Sequence, residues 1–151
     1  RLRQCLSYTK LLRSAVQGYE EDLVNNSELG KIIINYDDVE LPAKLEKLIL
    51  IVKEFQQRKE KVVIWAHFIG TIKLIEKHIK LNGINCKKII GETPSERSTI
   101  SHEETREKIR NEFVMPDSGL DVLLANPAAC AESISLHTIW NYIIKGEDNA
   151  H

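Results

Sequence analysis

Residues 61 to 90 read KVVIWAHFIGTIKLIEKHIKLNGINCKKII, and this stretch decides the fold class. Two short β-branched runs, KVVIWA (61–66) and INCKKII (84–90), flank a segment of a different period. In that segment, which follows Gly70, Ile72, Ile75 and Ile79 share one side of a helix while Lys73, Lys77 and Lys80 share the other, and Asn82-Gly83 supplies the stop. A strand, a crossover helix and a second strand make a βαβ unit, whose strands pair in parallel because the helix carries the chain back before the second strand begins.

Towards the carboxyl terminus the alternation continues. Gly91 and the polar loop ETPSERSTI (92–100) lead to Ser101-His102-Glu103-Glu104, where a Ser and a Glu three apart predict a capping box. The helix it opens turns Ile109 and Phe113 inward. Met115 to Gly119 returns the chain to a buried strand carrying Leu120, Val122, Leu123 and Leu124. At Asn126-Pro127 the helix-incompatible step ends that strand, and Ala128, Ala129, Cys130, Ala131, Ser133 and Ser135 follow. Side chains this small let backbone approach a ligand, a nucleic acid strand or another helix. A last apolar segment, TIWNYII (138–144), is a candidate fourth strand.

Towards the amino terminus, Pro42 suits the first turn of a helix, and Leu45, Leu48, Ile49, Val52 and Phe55 form its apolar face. Residues 1–24 carry an imperfect helical pattern, and residues 25–41 (NNSELGKIIINYDDVEL) read as a connecting arm. The expected fold is therefore α/β, a mostly parallel sheet with helices on both faces, in two parts: a helical segment and arm over 1–40 and the sheet domain over 41–151. In such sheets ligands bind outside the carboxyl ends of the strands. Here those ends are followed by Ala66-His67-Phe68, by Gly91-Glu92-Thr93 and by Asn126 through Ser135.

Composition narrows the chemistry. With 151 residues, 42% of them hydrophobic, the chain suits one domain with one core. Lys plus Arg (21) nearly balances Asp plus Glu (22), leaving a net charge of −1, so any contact with nucleic acid must be local. Three cysteines without metal-ligand spacing, Cys5, Cys86 and Cys130, point to a reducing compartment, cytoplasm or nucleus. No apolar run is long enough to span a bilayer and no signal-peptide pattern is present, so no membrane partner is expected. A first residue of Arg1 instead of Met leads us to expect a fragment of a longer protein.

Neither G-x-x-x-x-G-K-[ST] nor G-x-G-x-x-G occurs, so the chain has no phosphate cradle of its own. His67, His78, His102, His137 and His151 are scattered, which fits structural or surface roles and no metal site. Cys130, just past a strand, is either a small buried hydrophobe or a nucleophile with His67 as its base. Glu132 is either an acid favoured by a helix dipole or a functional carboxylate, and Ser133 and Ser135 either cap that helix or touch a phosphate. Lys73, Lys77 and Lys80 read as a solvated helix face.

In series, these segments resemble the second RecA-like lobe of Swi/Snf-type helicase-like ATPases of helicase superfamily two. RLRQCLSYTKLL (1–12) is similar to the Leu-Arg-x-x-Cys-x-His-Pro segment leading into that lobe, with Tyr8-Thr9 in place of His-Pro. Pro42-Ala43-Lys44-Leu45 resembles the Ser-x-Lys-Leu start of its first helix, and KVVIWAHF resembles motif IV, commonly Lys-Val-Leu-Ile-Phe-Ser-Gln-Phe. Gly91-Glu92-Thr93 with Arg106, Ile109 and Phe113 resembles the Gly-x-Thr, Arg and Phe pattern. LLANPAACAESISLH (123–137) falls on motif V, usually Ala-Gly-Gly-x-Gly-Leu-Asn-Leu, with wording closer to the bacterial and phage branch. The match covers residues 1 to 137; motif VI, Gln-x-x-Gly-Arg-x-x-Arg, is not found in residues 138–151.

The resemblance implies the carboxy-terminal helicase lobe of an ATP-dependent translocase on duplex DNA, cytoplasmic in a bacterium and nuclear in a eukaryote. A first RecA-like lobe of the same protein would supply the phosphate loop, and ATP with magnesium would bind between the lobes of the intact enzyme. This lobe, inactive alone and with no catalytic residue of its own, would grip nucleic acid through His67, Thr93, Ser133 and Ser135. Glu132 would link that grip to the nucleotide. The alternatives are a non-hydrolytic RecA-like module that binds protein or nucleic acid, and a Cys130-dependent α/β hydrolase.

Overall fold

The computed structural model describes residues 2–14, 28–94, 104–130 and 136. Their helices are α1 (Leu2–Ser7), α2 (Leu11–Ser14), α3 (Glu28–Val39), α4 (Ala43–Gln57), α5 (Ile69–Leu81) and α6 (Arg106–Val114). The strands are β1 (Val62–Trp65), β2 (Cys86–Ile89) and β3 (Val122–Ala125), all parallel and in the spatial order β1-β3-β2. The α/β expectation holds, with a small open sheet flanked by helices.

This strand order places the helices. From β1 the chain steps past the β3 position to reach β2, and then steps back by one to form β3. Right-handed crossovers stepping in opposite directions put their helices on opposite faces of the sheet. The packing agrees. On one face Leu45, Ile49 and Val52 of α4 and Ile72, Ile75 and Ile79 of α5 form a core with Val122 and Leu124. On the other, Ile109 and Phe113 of α6 pack with Ile89, Leu120 and Leu123. Every residue of β3 is at 0% exposure, since it has a strand on each side and a helical layer on each face. Its continuous Val-Leu-Leu-Ala run is what a strand enclosed on both faces requires.

Helix α5 shows the predicted division, with Ile72, Ile75 and Ile79 buried and Lys73, Lys77 and Lys80 exposed. Its end is fixed by Gly83 at φ 74°, a left-handed conformation that glycine adopts without a Cβ penalty. At its start Gly70 lies within the first turn, and a methyl group there would run into Leu11 of α2. That close approach seats the amino-terminal helices against the sheet domain, with the Ser7 and Thr71 hydroxyls 2.8 Å apart beside it.

Two expectations are corrected. The connecting arm is not a linker over its whole length, because residues 28–39 form α3. Ile33 is buried while its neighbour Ile32 is exposed, so the isoleucine run is distributed around a helix, and packing against α2 outweighs the modest helix propensity of β-branched residues. The capping box is also displaced. Glu104 precedes the helix, and Thr105 caps α6 by accepting a 3.3 Å hydrogen bond from the Lys108 amide. The capping hydroxyl of Thr105 stands four residues nearer the apolar Ile109 than Ser101 does, and Thr105 is itself buried. Residues 1–24 resolve into α1 and α2 as far as Ser14. Ser101 and the candidate strand 138–144 lie outside the described residues.

At the amino edge of the sheet, Lys61 joins β1 to the end of α6. Its ammonium donates to the carbonyl oxygens of Phe113 (2.9 Å) and Met115 and to Ser118 Oγ (2.9 Å), satisfying carbonyls that the helix end leaves open. Burial lowers the Lys61 pKa, against the raising influence of Asp121, Asp117 and Glu112.

The sheet's dependence on β3 is testable. Leu123→Ala should destabilise the chain by about 3 kcal/mol, through lost burial and the cavity left between β3 and α6. Urea denaturation should show a lower midpoint at unchanged slope; an unchanged midpoint would contradict the two-faced core.

Candidate functional site

The carboxyl ends of the three strands lie side by side, and two polar side chains tie together the loops that follow them. The first is Asn126, directly after β3 and only 7% exposed. Its side-chain amide donates to the carbonyls of Ala66 (3.2 Å) and His67 (2.8 Å), and its Oδ1 accepts from the Ala128 amide at 3.0 Å. The backbone is equally engaged: the Asn126 amide donates to Ile89 O at 3.0 Å, and its carbonyl accepts from Ala129 and Cys130. One residue thus fixes the loop after β1, the end of β2 and the turn after β3. Pro127 assists by holding Asn126 in extended backbone.

Arg106 is the second tie, at the first position of α6. Its guanidinium donates to three carbonyls: Nε to Thr93 (2.9 Å), Nη1 to Ala129 (3.0 Å) and Nη2 to Gly91 (3.2 Å). The planar fork spans two loops that no single backbone hydrogen bond could join. A fixed positive charge therefore stands at the working edge of the sheet.

Of the predicted site residues, His67 and Thr93 are among those described, and the two ties bring their loops to one edge. The His67 side chain is exposed, and its backbone carbonyl is held by Asn126. Thr93 is half-buried, its Oγ1 accepts from the Ile90 amide at 3.0 Å, and its own amide donates to Ile90 O. Its hydroxyl proton remains available to an incoming acceptor. Glu132, Ser133 and Ser135 lie outside the described residues. Leu136, which follows them, is half-buried against the α6 face of the core, so the chain returns there to the sheet.

The role of Asn126 is not among the expectations drawn from the sequence, and Arg106 enters them only through the resemblance. The signal for Asn126 was present: a polar residue that ends a fully apolar strand and precedes a proline is placed to satisfy backbone groups where the sheet stops. Nothing in the sequence shows which carbonyls Arg106 reaches.

Cys130 is the candidate nucleophile among the described residues of this edge. Burial pushes the Cys130 thiol up, and the Arg106 guanidinium opposes this only in part. A raised thiol is a poor nucleophile at neutral pH, and the β3 turn engages His67 through its carbonyl. Among the described residues no group of three His, Cys, Asp or Glu side chains is placed to hold a metal ion, and no helix is long and apolar enough to cross a membrane.

Asn126→Ala should cost about 1–3 kcal/mol in denaturant unfolding, because the Ala66 and His67 carbonyls lose their donor. Asn126→Asp should fare no better, having no N–H to give them; a change below about 0.5 kcal/mol in both would refute the tie. For Cys130, alkylation in the folded chain should be slow at pH 7 and accelerate only above the ordinary cysteine range, since the thiolate forms late. Rapid, selective labelling at neutral pH would restore the nucleophile.

No protein-family model matches the chain, and no solved structure matches it significantly. Two Arabidopsis thaliana proteins do. The chain is 25% identical over 147 residues to Protein CHROMATIN REMODELING 5, covering 97% of this chain and 8% of that protein. It is 35% identical over 85 residues to SNF2 domain-containing protein CLASSY 4, covering 52% of this chain and 7% of that protein. The chain therefore spans less than a tenth of the length of either relative, and the two similarities support a relationship to SNF2-type proteins.

Proposed function

We propose that this chain is the second RecA-like lobe of an SNF2-type, ATP-dependent translocase acting on DNA. The observation that carries the reading is the carboxyl edge of the sheet. Three loops are locked together there by Asn126 and Arg106, and they bring the exposed His67 side chain, the Thr93 hydroxyl and the exposed Ala128 to one edge, Ala129 being buried. An exposed imidazole and a hydroxyl held in this way suit phosphate oxygens, which position a nucleic acid without reading its sequence. Support comes also from the parallel α/β fold and from the similarity to a chromatin remodeling protein and to an SNF2 domain-containing protein.

In this reading Ser133 and Ser135 continue the phosphate-contacting surface begun by His67 and Thr93, and Glu132 lies on the path from that surface to the nucleotide. ATP and magnesium bind between this lobe and a first RecA-like lobe, whose phosphate loop this chain does not contain. Closure on ATP and opening after hydrolysis then move the grip along duplex DNA. A DNA substrate places the protein in the nucleus of a eukaryote. The rigid Asn126 and Arg106 ties matter here, because a grip that flexed independently of its sheet would pass no lobe movement to the strand.

The parent protein provides the test. His67→Ala combined with Thr93→Ala should lower DNA-stimulated ATP hydrolysis by about tenfold, the loss expected for two phosphate contacts. Turnover without DNA should stay within about twofold, since neither residue is placed at the nucleotide. Equal loss of both activities would refute a grip at this edge.

A further inference from the structure

A concave site lies beside the carboxyl edge and has its own chemistry. It is a cleft of about 750 Å³ between α1, the start of α4, the end of β1 and the first turns of α5. That size falls within the range of sites that hold small organic groups, about 300–1,000 Å³. Its floor is apolar, built on Leu45, Leu48, Ile64, Leu74 and Ile75. One wall is Trp65, the last residue of β1, which is 52% exposed although it is the largest side chain of the strand. Around the opening stand Arg3, Lys44 and His67, and among the described residues lining the cleft none is an aspartate or glutamate. In a chain of net charge −1, a lining with basic residues and no acids is a local departure that favours an anion.

We propose that this cleft receives an unpaired nucleobase, stacked on Trp65, with Lys44 and Arg3 taking the adjoining phosphates. An open indole face stacks on any base, and the two cations meet the backbone on either side of it. Lys44 is already oriented, its Nζ donating to Leu6 O at 3.0 Å, which leaves two further N–H donors for a phosphate. Continuity selects nucleic acid as the occupant. Ala66 and His67 line the cleft, and theirs are the carbonyls held by Asn126, so a strand lying on the carboxyl edge reaches Trp65 without leaving the protein surface. The proposal rests on the nucleic acid reading of that edge for the class of occupant and for the direction from which the strand arrives, while the stacking on Trp65 stands on the cleft alone.

The test uses the full 151-residue chain carrying Trp140→Phe, which makes Trp65 the sole tryptophan of the two present. An oligothymidylate of about fifteen nucleotides, within single-strand site sizes, should quench the indole saturably. An abasic oligomer of equal length should bind more weakly. By anisotropy of the labelled oligothymidylate, Trp65→Ala should weaken binding about tenfold and Trp65→Phe by less than about threefold, because a phenyl ring still stacks. Lys44→Gln should reduce the slope of log affinity against log salt by about 0.7, one single-strand phosphate. Equal affinity for the abasic oligomer, or no effect of Trp65→Ala, would overturn the stacking site. Quenching by a Glu-rich amphipathic peptide but not by the oligomer would assign the cleft to a protein partner instead. Duplex binding that is weakened by His67→Ala but indifferent to Trp65 removes this inference alone, whereas no binding of duplex or single strand removes the edge reading with it.

Discussion

The structure depends on the enclosure of β3. Paired to β1 on one side and β2 on the other, and covered by α4 and α5 on one face and α6 on the other, this strand has no exposed surface. Burying a leucine contributes about 1.5–3 kcal/mol, and β3 places Leu123 and Leu124 in opposite layers. The two cores are thereby coupled through one strand. The same enclosure sets the position of everything at the carboxyl edge, since the end of a strand held on four sides has little freedom to move.

That rigidity is carried outward by polar side chains. Where the ladder stops, the chain still has to satisfy backbone carbonyls as it leaves the sheet, and Asn126 and Arg106 satisfy five of them: Ala66, His67, Thr93, Ala129 and Gly91. Four of these hydrogen bonds are partly buried and the one to Gly91 is exposed, and a partly buried carbonyl is costly to leave without a donor, so the loops are tied to the sheet. Lys61 does comparable work at the opposite edge, where it closes the end of α6 onto the start of β1. A sheet tied at both ends suits a part that transmits movement, which is the role proposed for it.

Two surfaces at the carboxyl edge divide the proposed contacts with nucleic acid. The loop surface offers the His67 side chain and the Thr93 hydroxyl, suited to backbone oxygens, while the neighbouring cleft offers an aromatic face and cations. The first is sequence-neutral positioning, and the second rewards a base that has left its stack. Their junction is the Ala66-His67 step, whose carbonyls are fixed by Asn126.

Much of this was legible in the sequence, because periodicity is a local property. The Ile72, Ile75, Ile79 spacing and the β-branched runs on either side of it dictate a helix between two strands, and Leu120, Val122, Leu123 and Leu124 read as a buried strand, which is observed over Val122–Ala125. Alternation of these elements implied a parallel sheet with loops converging at its carboxyl edge, which is where Asn126 and Arg106 are found. What the sequence left undetermined involves groups far apart in the chain. Helix α3 forms in a segment of weak propensity because Ile33 is buried, α6 is capped by the buried Thr105, and Arg106 reaches Gly91 and Ala129 only after the crossovers fold. Trp65 stands beside Lys44 and Arg3 for the same reason. Spacing along one chain determines which elements form and which face each buries, but only tertiary packing decides which side chains from different elements come within reach of one another.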